Sequence, residues 1–367
     1  MLYVYFFILF LGFTFFDVLK LELTVRNFFF LLSTSLVILF SAIRWETGAD
    51  WESYYFLFTD AEDYWKGKYV EVNRIEFGYV WLNYIVSNLS SNYTYMLLVN
   101  ALLAIGIKAY YIRKETSIFL IAFFFYYSYY IADIAAVRQF VAMSFILMSS
   151  FYIQKRSKIG YLIAIFLAFT IHYSALIFLV GYWLFWLKTS PKHLYILLGI
   201  FFLLGFFNIT GYILDVAFNL VPGGSFVQGK LQAYQEDGLE TASGNPYIFF
   251  ALGAAKRLII MPFFIWRMSY IRKIDFDRYR GYLNLVIFGN LIYFLFILSI
   301  PAMQRLSIYF SFFEIFLWGY FILSFKDRPL QILVLVVSSL YAGLRLYLQI
   351  NAYFDSYVPF KTIFSNL

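Results

Sequence analysis

The feature that most constrains this chain is an almost unbroken series of apolar runs. They cover residues 1–16, 27–43, 77–110, 117–131, 135–153, 159–170, 172–187, 193–208, 247–267, 282–299, 303–324 and 330–346. A helix needs about 20 residues to cross a bilayer, so such runs read as membrane helices. The 77–110 run is too long for one crossing; it reads as an interfacial or re-entrant piece at 77–90 followed by a crossing at 92–110. The reading is an all-α, polytopic integral membrane protein of about twelve crossings (range 10–14), forming one transmembrane domain over residues 1–367. Residues 1–16 carry neither a basic n-region nor a small-residue cleavage pattern, and are expected to stay as the first membrane helix.

Composition narrows the chemistry. Of 367 residues, 63% are hydrophobic and only 13% charged, which argues against a water-soluble enzyme. There is no cysteine and there are two histidines, so disulfides, thiolate-bound metals and a thiol nucleophile drop out, and a histidine-rich metal site is improbable. The formal net charge of +7 is too dispersed to suggest nucleic acid. Placing the N-terminus outside assigns 17 of the 28 basic residues, Lys108 among them, and six of the 21 acidic ones to the inner loops, as the positive-inside rule requires. That count needs residues 159–187 to form two short helices meeting at His172 near the outer face, although the break carries neither Gly nor Pro. Loops 44–76 and 209–246 and the 300–302 link then face outward.

The few ionisable groups beside apolar runs are the candidate site. A charge at a helix centre costs about 2.5–3.5 kcal/mol on insertion scales. Arg138 reads either as an anchor snorkelling to the headgroups or as a cation aimed into an outward cavity, with Gln139 as its amide neighbour. Arg305, with Tyr309 one turn on, carries the same two readings. Arg345 shares a stripe with Tyr341 and Gln349 that must face protein or water. Lys256 and Arg257 are adjacent and point to different faces. His172 is the one histidine in an apolar run, and a neutral imidazole there can take a proton from a hydroxyl. In the loop from Arg44 to Tyr54, Trp45 and Tyr54 offer stacking faces for sugars and Asp50 an acceptor for hydroxyls; a solvated aromatic belt is the plainer alternative. Loop 209–246, rich in glycine, is either a lid or a simple external loop.

Six segments in order resemble the EpsG family of bacterial exopolysaccharide polymerases, which are functionally like the Wzy polymerases: Arg44-x-x-x-Gly48-x-Asp50-x-x-x-Tyr54, Glu76-Phe77-Gly78-Tyr79, Val137-Arg138-Gln139, Thr170 to Ala175, Arg305 to Phe310 and Tyr357 to Lys361. Ala49-Asp50-Trp51 stands where the family pattern has Thr-Asp-Tyr. The resemblance implies joining of polyprenyl-diphosphate-linked oligosaccharides, donor and acceptor, at the outer face of a bacterial cytoplasmic membrane, building an exopolysaccharide, capsule or O-antigen. Under it, Arg138 and Arg305 are expected to hold the donor diphosphate and His172 to deprotonate the acceptor hydroxyl, with Asp50 or Glu46 as second-choice base. Arg44 and Asp50 are expected to hold sugars or shape the entry, and Lys256, Arg257 and Arg345 are weaker phosphate candidates. No cofactor or metal is expected, since fixed guanidinium groups can balance the leaving charge, and a chain-length regulator is a candidate partner. A lipid-linked oligosaccharide flippase and a membrane acyltransferase are the rival readings.

Overall fold

The computed structural model describes residues 2–68, 75–135, 138–220 and 246–365. Among them no strand occurs; regular structure is helical, apart from one isolated bridge between Arg44 and Thr362. The chain is an all-α polytopic membrane protein. Four helices are long and apolar enough to span alone: Leu23–Ala42, Tyr93–Glu115, Pro246–Tyr270 and Arg328–Ala352. Two bent pairs, Pro191–Val216 and Pro301–Leu323, raise that to six, and Leu2–Val18, Phe119–Tyr129, Lys158–Ile171 and Tyr173–Trp186 are shorter apolar pieces. Several of the expected crossings are thus short or broken. Many apolar side chains point outward, among them Leu31, Phe166 and Leu340, as lipid contact requires.

The chain divides into two compact units, Met1–Leu179 with Trp318–Leu367, and Val180–Leu317. In the first, α1 (Leu2–Val18), α2 (Leu23–Ala42), α3 (Trp51–Thr59), α4 (Ala61–Trp65) and α5 (Phe77–Leu89) precede α6 (Tyr93–Glu115), which contains a π-helical turn at Leu102–Gly106. Then come α7 (Phe119–Tyr129), a 3-10 turn at Ile131–Ala135, α8 (Arg138–Gln154), α9 (Lys158–Ile171) and a second 3-10 stretch at Tyr173–Val180. All eleven residues of α7 are buried, as expected of a helix apolar on every face with helices around it. In the second unit, α10 (Gly181–Trp186), α11 (Pro191–Phe206), α12 (Ile209–Leu220), α13 (Pro246–Arg267), α14 (Lys273–Phe296) and α15 (Gln304–Ser311) lead into α16 (Glu314–Leu323). The chain closes with α17 (Arg328–Ala352) and α18 (Phe354–Tyr357) in the first unit.

Three sequence expectations change here. Loop 44–76 contains two short helices, α3 and α4. The supposed loop 209–246 begins with α12, and residues 221–245 lie outside the described residues, which leaves the lid there. Lys108, counted with the inner-loop cations, is fully buried within α6 and paired with Asp133 at 2.7 Å. The break at His172 is present: its backbone is extended (φ −154°, ψ 112°), and it separates α9 from the following 3-10 stretch.

The first unit has two differently furnished ends. Where α1 turns into α2, Asp17 accepts from Arg26 (2.8 Å) and from the backbone N–H groups of Leu120 and Ile121, while Arg113 donates to Asn27 at 2.7 Å. At the opposite end the C-terminal segment lies against loop 43–48. Trp45 N–H donates to the Lys361 carbonyl and Ile363 N–H to the Ile43 carbonyl, both at 2.9 Å, and Lys361 Nζ is 2.8 Å from Glu46. Gly48 adopts φ +107°, a region that favours glycine, and sits where an added Cβ would lie 2.9 Å from that of Ala135.

Candidate functional site

The site is built where α5, α8 and α9 begin or end. Glu76 is the N-cap residue of α5, yet its side chain makes no cap hydrogen bond. Instead one oxygen, Oε1, lies 2.8 Å from His172 Nδ1 and accepts from the Tyr173 N–H at 3.3 Å, while Oε2 pairs with Arg138 Nη1 in the first turn of α8. Close helix packing makes this possible: at Gly78 an added Cβ would meet the Thr170 carbonyl oxygen at 2.7 Å, so glycine lets the start of α5 press against the end of α9. The carboxylate therefore bridges a base and a cation that are remote in sequence.

Glu76 is almost fully buried at 4% exposure, whereas the Arg138 and His172 side chains keep 27% and 29%. Burial pushes the Glu76 carboxyl up, but the hydrogen bond from His172 and the charge of Arg138 outweigh it and hold the group below the ordinary glutamate value. An ionised carboxylate only accepts, so Nδ1 is the donor in this pair, and in the neutral ring the lone pair then lies on Nε2. Such an imidazole is set up to take a proton through Nε2.

Arg138 also forms part of the wall of a cavity of about 370 Å³, with Asp50, Ser53, Tyr54, Tyr64 and Ile75 among its lining. The Tyr54 hydroxyl accepts from the Arg138 backbone N–H at 3.4 Å, tying α3 to the start of α8. The volume lies within the range of small-ligand pockets, and the lining offers a carboxylate, hydroxyls and a guanidinium, a set that suits a hydroxyl-rich ligand.

Of the residues singled out from sequence, Arg138, Asp50 and Tyr54 meet at this cavity, and His172 joins Arg138 through Glu76. Gln139 is buried beside Arg138 in α8. Trp45 packs edge-on to Trp51, with ring centroids 5.1 Å apart, and Trp51 stacks on Tyr55. Arg44 takes a different place. It is 2% exposed and absent from the cavity lining, and its Nη1 donates to the Ile134 carbonyl at 2.5 Å. Burial draws its guanidinium below the ordinary arginine value, against the pull of the Tyr93, Tyr79, Tyr357 and Tyr3 hydroxyls. Arg345 stacks over the Tyr129 ring at 4.0 Å, and Gln349 on the same stripe donates to the Ser128 carbonyl.

The second unit holds the remaining candidates. Arg305 is exposed in the first turn of α15, one turn before the fully buried Tyr309. Arg257 lies over the Tyr293 ring at 3.3 Å and donates to the Gly253 carbonyl, and Lys256 precedes it on α13, partly buried.

The residue that sequence reasoning passed over is Glu76. It opens one of the six family-like segments, but a lone glutamate ahead of an apolar helix looks like an ordinary helix-start acid.

No curated protein and no solved structure matches the chain. The family model described as EpsG family matches residues 27–362, which takes in Arg44, Glu76, Arg138, His172 and the docked C-terminal segment, and the chain belongs to the EpsG family.

Proposed function

We propose that this protein is a Wzy-like polysaccharide polymerase. It joins polyprenyl-diphosphate-linked oligosaccharide repeats at the outer face of the bacterial cytoplasmic membrane. Membership in the EpsG family supports the polymerase-like activity. The observation that carries the mechanism is the Glu76 carboxylate, held between His172 and Arg138, the latter a residue of the cavity wall.

The reaction needs two charges balanced at once. The acceptor hydroxyl oxygen attacks the anomeric carbon of the donor, forming the new C–O bond. The bond from that carbon to the diphosphate oxygen breaks, and the electron pair leaves with the lipid diphosphate. The hydroxyl proton passes to His172 Nε2. Attack opposite the leaving group inverts the anomeric configuration.

His172 becomes cationic as the leaving group becomes more anionic. Glu76 stabilises the imidazolium through Oε1, and Arg138 places its remaining N–H donors toward the cavity where a diphosphate oxygen would sit. Asp50, Ser53 and Tyr54 accept and donate hydrogen bonds to sugar hydroxyls. Guanidinium stabilisation of the leaving diphosphate lets the reaction proceed without a metal ion.

A deletion strain complemented with variants tests this on a glycan gel. Wild type restores the polymer ladder, whereas His172→Ala at equal protein level leaves single repeats. A full ladder from His172→Ala would falsify the assignment of the base.

A further inference from the structure

Ahead of Arg138 lies the 3-10 turn Ile131–Ala135, and buried side chains hold it to an unusual degree. The Ile134 carbonyl accepts from Arg44 Nη1 at 2.5 Å and from Ser41 Oγ at 2.7 Å. Asp133, the preceding residue, accepts through Oδ2 from Lys108 Nζ at 2.7 Å and from the Tyr126 hydroxyl at 2.5 Å. Lys108 Nζ also donates to the Phe140 carbonyl at 2.6 Å. The ammonium thus contacts the chain at residue 133 and again at residue 140, on both sides of Arg138. Ser144 Oγ donates to the Ala104 carbonyl at 3.0 Å, a second tie between α8 and the π-helical turn of α6. That turn resets the face on which Lys108 leaves its helix two positions later.

Stability alone explains this poorly. An ion pair as buried as Lys108 and Asp133 (side chains 0% and 2% exposed) pays heavy desolvation, and an apolar pair of similar size commonly does as well or better. Ion pairs of this kind are best attested as devices that fix one geometry among several. The geometry fixed here is that of the described residues on either side of Arg138, the 131–135 turn before it and Phe140 after it.

We propose that Lys108 and Arg44 are positioning residues: buried cations that clasp the 131–135 turn and the first turn of α8, and so set the Arg138 guanidinium between Glu76 and the cavity. This rests on the role given to Arg138 above. Neither cation touches substrate; both act through Arg138.

The experiment uses the full chain purified in lipid nanodiscs, with lipid-linked repeats accumulated by a strain lacking it as the substrate. Lys108→Met combined with Asp133→Leu removes both buried charges and leaves no uncompensated ion. We expect this double variant to melt close to wild type while its maximal polymerisation rate falls about tenfold or more, with half-saturation changed by less than about twofold. Lys108→Arg, which keeps charge and donors, is expected to retain most of the rate. Wild-type rate in the double variant overturns the proposal. Should the double variant fail to accumulate, Tyr126→Phe removes one donor to Asp133 and keeps the ring. A rate about threefold below wild type supports the proposal, and an unchanged rate overturns it. Arg138→Ala runs alongside. If it is active, the role of Arg138 fails; if it is inactive while the double variant is fully active, only the positioning proposal fails.

Discussion

His172 Nδ1 lies 2.8 Å from Glu76 Oε1, and these residues are 96 positions apart in the chain. That distance turns an isolated membrane histidine into half of an oriented acid–base pair. Removing the imidazole deletes the base proposed above while sparing the Glu76 and Arg138 side chains. His172→Ala and His172→Asn are expected to lower the polymerisation rate by about 10²-fold or more, at protein levels near wild type on an immunoblot. Retention of more than about a tenth of the rate would count against the base.

Glu76→Gln keeps the shape and loses the charge. The Arg138 partner becomes neutral, and the carboxylate that stabilises a protonated imidazole is gone. The expected result is a rate lowered by about 10–100-fold with half-saturation little changed, measured on lipid-linked repeats.

The same carboxyl gives a pH dependence with a definite sign. Its folded value is held below the ordinary 4.5, so its contribution to stability is present in full above that value. The contribution is lost as pH falls through the lower folded value. Melting temperatures recorded from neutral pH downward should therefore fall more steeply below about pH 4.5 for wild type than for Glu76→Gln. Parallel curves would show that the carboxylate is not held by its partners.

Arg138→Lys conserves charge but not the planar fork. A lysine ammonium cannot pair with Glu76 and present further fixed donors to the cavity in the same way, so the loss should be about tenfold or more in rate. A lysine variant as active as wild type would remove the guanidinium from the mechanism.

Gly48→Ala probes the frame around the site. The φ of +107° and the 2.9 Å approach to Ala135 both oppose a side chain. A destabilisation of about 1–3 kcal/mol is expected from thermal unfolding, with the tail and the 131–135 turn affected together.

Much of this architecture was legible in the sequence, and the failures have physical causes. The apolar runs identified a membrane protein because lipid tolerates few charges. The charge asymmetry required a break at His172, which the extended backbone there supplies without Gly or Pro. Glu76 was not legible as a site residue, since a glutamate before α5 has the usual profile of a helix-start acid and its partners are remote in sequence. Lys108 was placed in a loop because a lysine near the end of an apolar run normally snorkels; only the folded chain reveals Asp133 beneath it. Arg44 is expected from the family resemblance to hold sugars or shape the entry, yet the tail and the tyrosines around it enclose it. Short helices α3 and α4 were hidden because alternating aromatics and charges carry little helical periodicity.

The pairing of Thr47 with Lys361 spans 314 positions of sequence. A ribosome feeding this chain into the membrane delivers Arg44, Glu76, Arg138 and His172 long before it delivers the segment that docks on loop 43–48. The segment that shields Arg44 and braces Glu46 is thus made only after all four. Docking of loop 43–48 therefore waits on residues made much later, and a nascent chain stalled before residue 356 would hold Glu76, Arg138 and His172 while Arg44 and Glu46 still lacked their brace.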